Sequence, residues 1–112
     1  MGDALAFAAR HVETFNAAVS SGDFHALVEL FAADASLEFV GVPVGPFEGR
    51  AAIAAAYAAQ PPSDTMTVLS VRVEPDGTIV EPFRWSADTG ARSGEMRLEV
   101  EGDRIRRLVV RF

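Results

Sequence analysis

Asp34-Ala35-Ser36-Leu37-Glu38-Phe39-Val40 alternates from Ser36 onward, placing Leu37 and Phe39 on one face of an expected strand and Ser36 and Glu38 on the other. Gly41-Val42-Pro43-Val44-Gly45-Pro46-Phe47-Glu48-Gly49 follows, too rich in glycine and proline for regular structure, although residues 44–47 can pair briefly. At Gly49-Arg50 the pattern changes to a helix over residues 50–59, with Ile53 and Tyr57 on one side, and Pro61 cannot continue it. A strand, a broken turn and a corner into a helix therefore occupy the middle of the chain.

Working outward, apolar residues Leu5, Ala8, Val12, Phe15 and Val19 recur at helical spacing over residues 4–19. Asp3 reads as the N-cap, Ser20-Ser21-Gly22 as the stop, and Phe7, His11 and Thr14 as a neighbouring stripe. Asp23 starts a second helix, expected over residues 23–33, with Phe24, Leu27, Val28 and Phe31 on one face. After the third helix the chain reads as strand and turn. Residues 65–74 and 78–87 flank the hairpin turn Pro75-Asp76-Gly77, and Asp88-Thr89-Gly90 closes the second strand. Residues 94–101 set Met96, Leu98 and Val100 against Glu95, Arg97, Glu99 and Glu101, and Gly102-Asp103 turns them into a last strand over residues 104–112. The expected class is α+β, with helices on one face of a curved sheet.

Composition narrows the function. With 112 residues the chain is expected to form a single domain, residues 1–112. There is no cysteine, which excludes disulfides and thiolate zinc sites. A net charge of −6 disfavours nucleic-acid and anionic-membrane partners; Arg104, Arg106 and Arg107 cluster but are interleaved with Glu99, Glu101 and Asp103. No signal-like opening and no membrane-length apolar run is present, so a cytoplasmic protein is expected. All ten basic residues are arginine and alanine abounds, as in GC-rich bacterial coding. The two histidines fall on different helices without paired carboxylates, and no glycine run follows a strand, so neither a metal nor a cofactor is expected.

Four local patterns are more specific: Gly22-Asp23 between helices, Phe31-Ala32-Ala33-Asp34-Ala35, the Gly49-Arg50 corner, and Pro82-Phe83-Arg84 in a central strand. With the order of elements, they resemble the SnoaL-like, nuclear transport factor 2-like superfamily, which includes ketosteroid isomerases. The resemblance implies a cone-shaped, cystatin-like α+β barrel, three N-terminal helices packed on a curved antiparallel or mixed sheet, with a pocket in the cone. It also implies where isomerase chemistry would sit. The general base follows a strand glutamate, which places Phe39 there after Glu38; the oxyanion-hole tyrosine and aspartate positions fall on Phe15 and Met96. None of the three can abstract a proton or donate a hydrogen bond to an enolate, so ketosteroid isomerase activity of the usual kind is not expected. The positions offer an apolar cup instead: Phe15, Leu37, Phe39, Tyr57, Phe83, Trp85 and Met96.

The polar candidates for catalysis are Glu81, His11 and Asp88. Glu81 shares the strand face of Ile79 and Phe83 and can point into the cone, although a strand-end position in water or an arginine partner is the commoner fate of a glutamate. His11 lies a turn from Phe7 and beside Phe15; His25 flanks the second helix. Asp88 belongs near the cone mouth, where a turn role beside Thr89-Gly90 competes. The expected function is binding of a small lipophilic molecule such as a polyketide, terpenoid or steroid. The chemistry, if any, is cofactor-free isomerisation, cyclisation or hydrolysis, with a relay from Glu81, His11 or Asp88 and Tyr57 as donor. The alternative is a noncatalytic dimeric carrier or scaffold with a filled core, favoured by a void smaller than a few waters. An epoxide-hydrolase-like Asp-Arg-Asp arrangement has only Arg84 to build on, and alternation points Arg84 away from the cup. Glu38, Arg72, Arg84, Glu95, Arg97 and Glu99 take the opposite strand faces, and the resemblance implies a homodimer through that outer face.

Overall fold

The computed structural model describes residues 2–112. Helix α1 spans Gly2–Ser21, so Asp3 lies inside its first turn rather than capping it. Gly22 follows with a positive φ of 80°, and its N–H donates to the Ala18 carbonyl, ending the helix. The Asp23 carboxylate accepts from the His25 N–H and opens α2, His25–Glu29.

The second helix is much shorter than its apolar spacing predicts. It ends at Glu29, and strand β1 begins at Phe31 and runs Phe31–Val40. Long-range pairing overrides local propensity here. The Ile105 N–H donates to the Leu30 carbonyl, Phe31 pairs with Ile105 in register, and both side chains are buried. Short β2, Phe47–Glu48, pairs antiparallel with Ser36 and Leu37. Helix α3, Arg50–Ala59, follows the predicted bounds. Its corner is pinned to β1: the Gly49 N–H donates to the Ala35 carbonyl, and the Arg50 guanidinium donates to the Phe31 carbonyl.

The expected strand over residues 65–74 is broken into β3, Met66–Val68, and β4, Arg72–Val73, both pairing with β5, Ile79–Trp85. Pro82 explains the break. It presents its carbonyl to this edge, where the Leu69 N–H donates to it, but has no N–H to return. Strands β6, Gly94–Glu101, and β7, Arg104–Arg111, complete an antiparallel β5-β6-β7 meander, and β1 joins β7 in parallel. The sheet order is β2-β1-β7-β6-β5-β3, with β4 beside β5. It is a mixed, curved and unclosed sheet, so the cone is closed by helices and side chains and not by strand pairing.

Alternation along the strands sends Leu37, Phe83, Met96, Leu98, Leu108 and Val110 into the core against α1 and α3. The outer face carries the charges. Arg107 bridges Glu38 and Glu99, and Arg97 pairs with Glu74 and Glu95. Among the described residues, no helix is long and apolar enough to cross a membrane.

Candidate functional site

A narrow inner cavity adjoins a broad vestibule that is open at the surface. The cavity measures about 70 Å³ and the vestibule about 910 Å³, and they share Phe39, Pro62, Trp85 and Phe112 as common wall. Phe15, Leu37, Phe39, Tyr57, Phe83, Trp85 and Met96 all line the inner cavity. The rings brace each other: Trp85 packs edge-on to Phe83 at 5.1 Å and tilted on Phe15 at 6.2 Å.

Helix and strand meet at the deepest polar feature. On α1, Phe7, His11 and Phe15 recur every four residues and form one buried stripe. His11 is 1% exposed and lines the inner cavity. Behind it stands Glu81, 0% exposed, opposite Met96 in the β5-β6 register. The His11 Nδ1 lies 3.7 Å from the Glu81 Oε1, beyond hydrogen-bond reach. Neither Nδ1 nor either carboxylate oxygen has a hydrogen-bond partner among the described residues. Strand position in water and an arginine partner are therefore both overturned for Glu81: it is buried, and its neighbour is a histidine. A buried carboxylate without hydrogen bonds is costly, and the His11 imidazole is the polar group set against it. The pair thus has the residue types of a base backed by a carboxylate, at a separation a small side-chain movement would have to close to make the hydrogen bond.

Asp88 lies elsewhere. It faces the vestibule, where the Ser93 hydroxyl donates to its carboxylate at 2.6 Å and the Gly90 N–H at 2.9 Å. The Ser93 bond, then the Gly90 bond, hold its carboxyl below the usual range. Ser93 Oγ also accepts from the Trp85 N–H, so Asp88 organises the loop that seats Trp85. The structure brings His11 and Glu81 together and leaves Asp88 apart. His25 is exposed and pairs with Glu29 within α2. Tyr57 stacks on Phe24 at 5.4 Å, and burial pushes its phenol well above the ordinary tyrosine range, so it is a protonated donor.

Five lining residues escaped the sequence reading: Pro62, Met66, Leu108, Val110 and Phe112. Alternation in the last strand, with Leu108, Val110 and Phe112 on one face, was the available signal for three of them. Met66 is set by a clamp no local pattern announces. The Asn16 amide donates to the Met66 carbonyl and accepts from its N–H, both at 2.9 Å, which fastens β3 to α1. Among the described residues, no group of His, Asp and Glu is arranged to hold a metal ion.

The SnoaL-like domain family model matches residues 12–108. No curated protein matches the sequence. Among solved structures, a Bacillus subtilis protein provisionally described as an isomerase superposes with a TM-score of 0.77 at 23% identity, covering 96% of this chain and 87% of that one. A Sinorhizobium meliloti protein provisionally described as a polyketide cyclase gives 0.64 at 27% identity, covering 90% and 93%. A computationally designed 17-OHP binder gives 0.74 at 17% identity, covering 98% and 90%.

Proposed function

The chain belongs to the SnoaL-like domain family, with the nuclear transport factor 2-like fold, and on that footing we propose that it binds a small lipophilic molecule and moves a proton on it with His11. The observation that carries the reading is the buried His11–Glu81 pair with His11 in the wall of an otherwise apolar cavity. Size divides the ligand between the two spaces. A dry cavity of about 150 Å³ holds benzene, so the 70 Å³ inner space takes only one end of a molecule, such as a ketone group. The apolar body rests in the vestibule against Phe39, Trp85 and Phe112.

The chemistry such a site suits is isomerisation or ring closure without a cofactor. His11 takes a proton from carbon beside the carbonyl and returns it at another carbon, so atoms and electrons balance within the substrate. Glu81 acts through His11 as a positioning residue, and Tyr57 is the nearest phenol for the carbonyl oxygen. The isomerase and cyclase descriptions of two similar proteins support this class of reaction. Phe15, Phe39 and Met96 stand in the wall, consistent with the absence of the base and donors of ketosteroid isomerases.

One observation favours a second reading. At about two waters' share of liquid volume, the inner cavity is close to filled, as in a carrier that holds its ligand in the vestibule alone. A homodimer through the outer sheet face fits either reading. The test uses a β,γ-unsaturated cyclic ketone as probe, with conjugation followed by absorbance and deuterium uptake from heavy water. Wild type is expected to catalyse both; His11→Gln should lose about 10²–10⁴-fold, and Glu81→Gln should lower kcat with KM little changed. Binding without exchange by wild type supports the carrier, and full activity in His11→Gln removes His11 from the mechanism.

A further inference from the structure

One row of side chains crosses the inner face of the sheet from the buried carboxylate to the cavity. Glu81 on β5 stands opposite Met96 on β6, Met96 opposite Val110 on β7, and Val110 opposite Phe39 on β1. Directly opposed residues of an antiparallel pair have their Cβ atoms about 5 Å apart on one face. Met96, Val110 and Phe39 line the inner cavity, whereas Glu81 is fully buried and lies outside that lining. Met96 is therefore the side chain between the cavity and Glu81. It also differs in kind from the rings around it. Trp85 packs against Phe83 and Phe15, and Phe39 against Phe47 and Phe112, so these rings brace each other. Met96 is an unbranched thioether, 2% exposed, in the wall of a space of about 70 Å³. The other thioether of that wall, Met66, belongs to edge strand β3 and stands opposite Trp85, in a different row.

Resting on the ligand-binding reading above, we infer that Met96 determines specificity, by fixing how much of the ligand extends past its carbonyl group into the inner cavity. At about 70 Å³ the space has room for a carbonyl and a methyl group. A dry cavity that holds benzene measures about 150 Å³. The favoured substrates are then methyl ketones and aldehydes, or rings that lead with the carbonyl oxygen, as in the cyclic probe above. Aryl ketones, whose ring must enter ahead of the carbonyl, are disfavoured. Shortening Met96 adds its lost volume to the cavity and brings Glu81 to the cavity's edge. An apolar wall discriminates by roughly 10–200-fold for a single methylene. A thioether yields more readily than a braced ring, so the low end of that range is expected.

Two ketones with one cage body separate the tip from the rest: 1-adamantyl methyl ketone and 1-adamantyl phenyl ketone. Trp85, the only tryptophan, lies in the wall of both spaces, so its fluorescence reports binding directly. Wild type is expected to bind the methyl ketone roughly tenfold more tightly than the phenyl ketone. Met96→Ala should reverse that order, and Met96→Leu, which conserves volume, should keep it. If Met96→Ala fails to fold, Met96→Val, a residue that suits a strand, should narrow the wild-type preference. A merely loosened fold would weaken both ketones together and leave their order intact. The same order and ratio in every variant, or a wild-type preference for the phenyl ketone, overturns the assignment to Met96 and leaves ligand binding standing. Failure of wild type to bind either ketone overturns the ligand-binding reading, and this assignment with it.

Discussion

Among the described residues Glu81 and the His11 Nδ1 face each other in the core without another hydrogen-bond partner, and this makes their energetics testable apart from any reaction. Removing one member strands the other: His11→Leu is expected to destabilise by about 3–5 kcal/mol, because Glu81 is left buried without compensation. The double variant with Glu81→Leu should recover most of that loss in urea denaturation, since two apolar side chains fill the same space. A double variant no more stable than His11→Leu would mean the two groups are not coupled. Tyr57, the only tyrosine, gives a pH-dependent counterpart. The residue is half-buried as a whole, yet burial raises its phenol pKa in the folded chain. A raised folded value means the folded state holds the proton longer. Its stabilising contribution is therefore complete below about pH 10, the ordinary tyrosine value, and is lost as pH rises beyond it. The phenolate absorbance should appear only with alkaline unfolding, and Tyr57→Phe should make that unfolding less steep. Period-two alternation made the strand faces legible, whereas the places of Phe15, Phe39 and Met96 in the wall were what the family resemblance implied. The His11–Glu81 meeting was not legible, since it joins a helix to a strand 70 residues later and depends on how α1 lies across β5.

Elements whose limits are set locally were readable, and those set by partners were not. Helix α3 and strand β6 follow from Pro61 and from strict alternation. The early end of α2 comes from β7, whose Ile105 claims the Leu30 carbonyl and whose strand draws Phe31 into register. The split between β3 and β4 comes from Pro82 on the partner strand β5, outside residues 65–74 themselves. Gly94 shows the same dependence at the start of β6, where it faces Phe83 in register. A Cβ there would collide with the Arg111 carbonyl oxygen on β7 and crowd the Phe83 ring on β5. Gly94→Ala is thus expected to cost about 1–3 kcal/mol by forcing neighbouring strands apart. The check is a lower denaturation midpoint at unchanged slope, with weaker quenching of Trp85 by ligand because Phe83 moves against it. An unaltered midpoint would show that the strands are not packed so closely.

At the scale of the whole molecule, the two sheet faces have opposite economies of charge. The inner face is apolar around one buried pair. The outer face is a lattice in which Arg107 spans Glu38 and Glu99, Arg106 also reaches Glu99, and Arg97 spans Glu74 and Glu95. Val80 and Val109 are buried, with Arg72 beside Val80 and Arg97 beside Val109 in the strand register. Each exposed ion pair contributes about 0–1 kcal/mol, so exchanging a partner within the chain for its equivalent on a second copy costs little. A two-fold axis through the sheet would set Arg107 against Glu99 in both directions, the isologous pairing that the proposed homodimer requires. Such an interface depends on charge more than on apolar area and should weaken as screening rises. Sedimentation is expected to find dimers near 0.05 M salt, where the Debye length is roughly 13 Å, and a shift toward monomer near 1 M, where it is about 3 Å. Arg107→Glu should give monomers at either salt concentration, because it sets like charges opposite each other across the axis, while Trp85 fluorescence still reports ligand binding. A dimer that persists in Arg107→Glu and at high salt places the contact on another surface, and a wild-type monomer at low salt removes it.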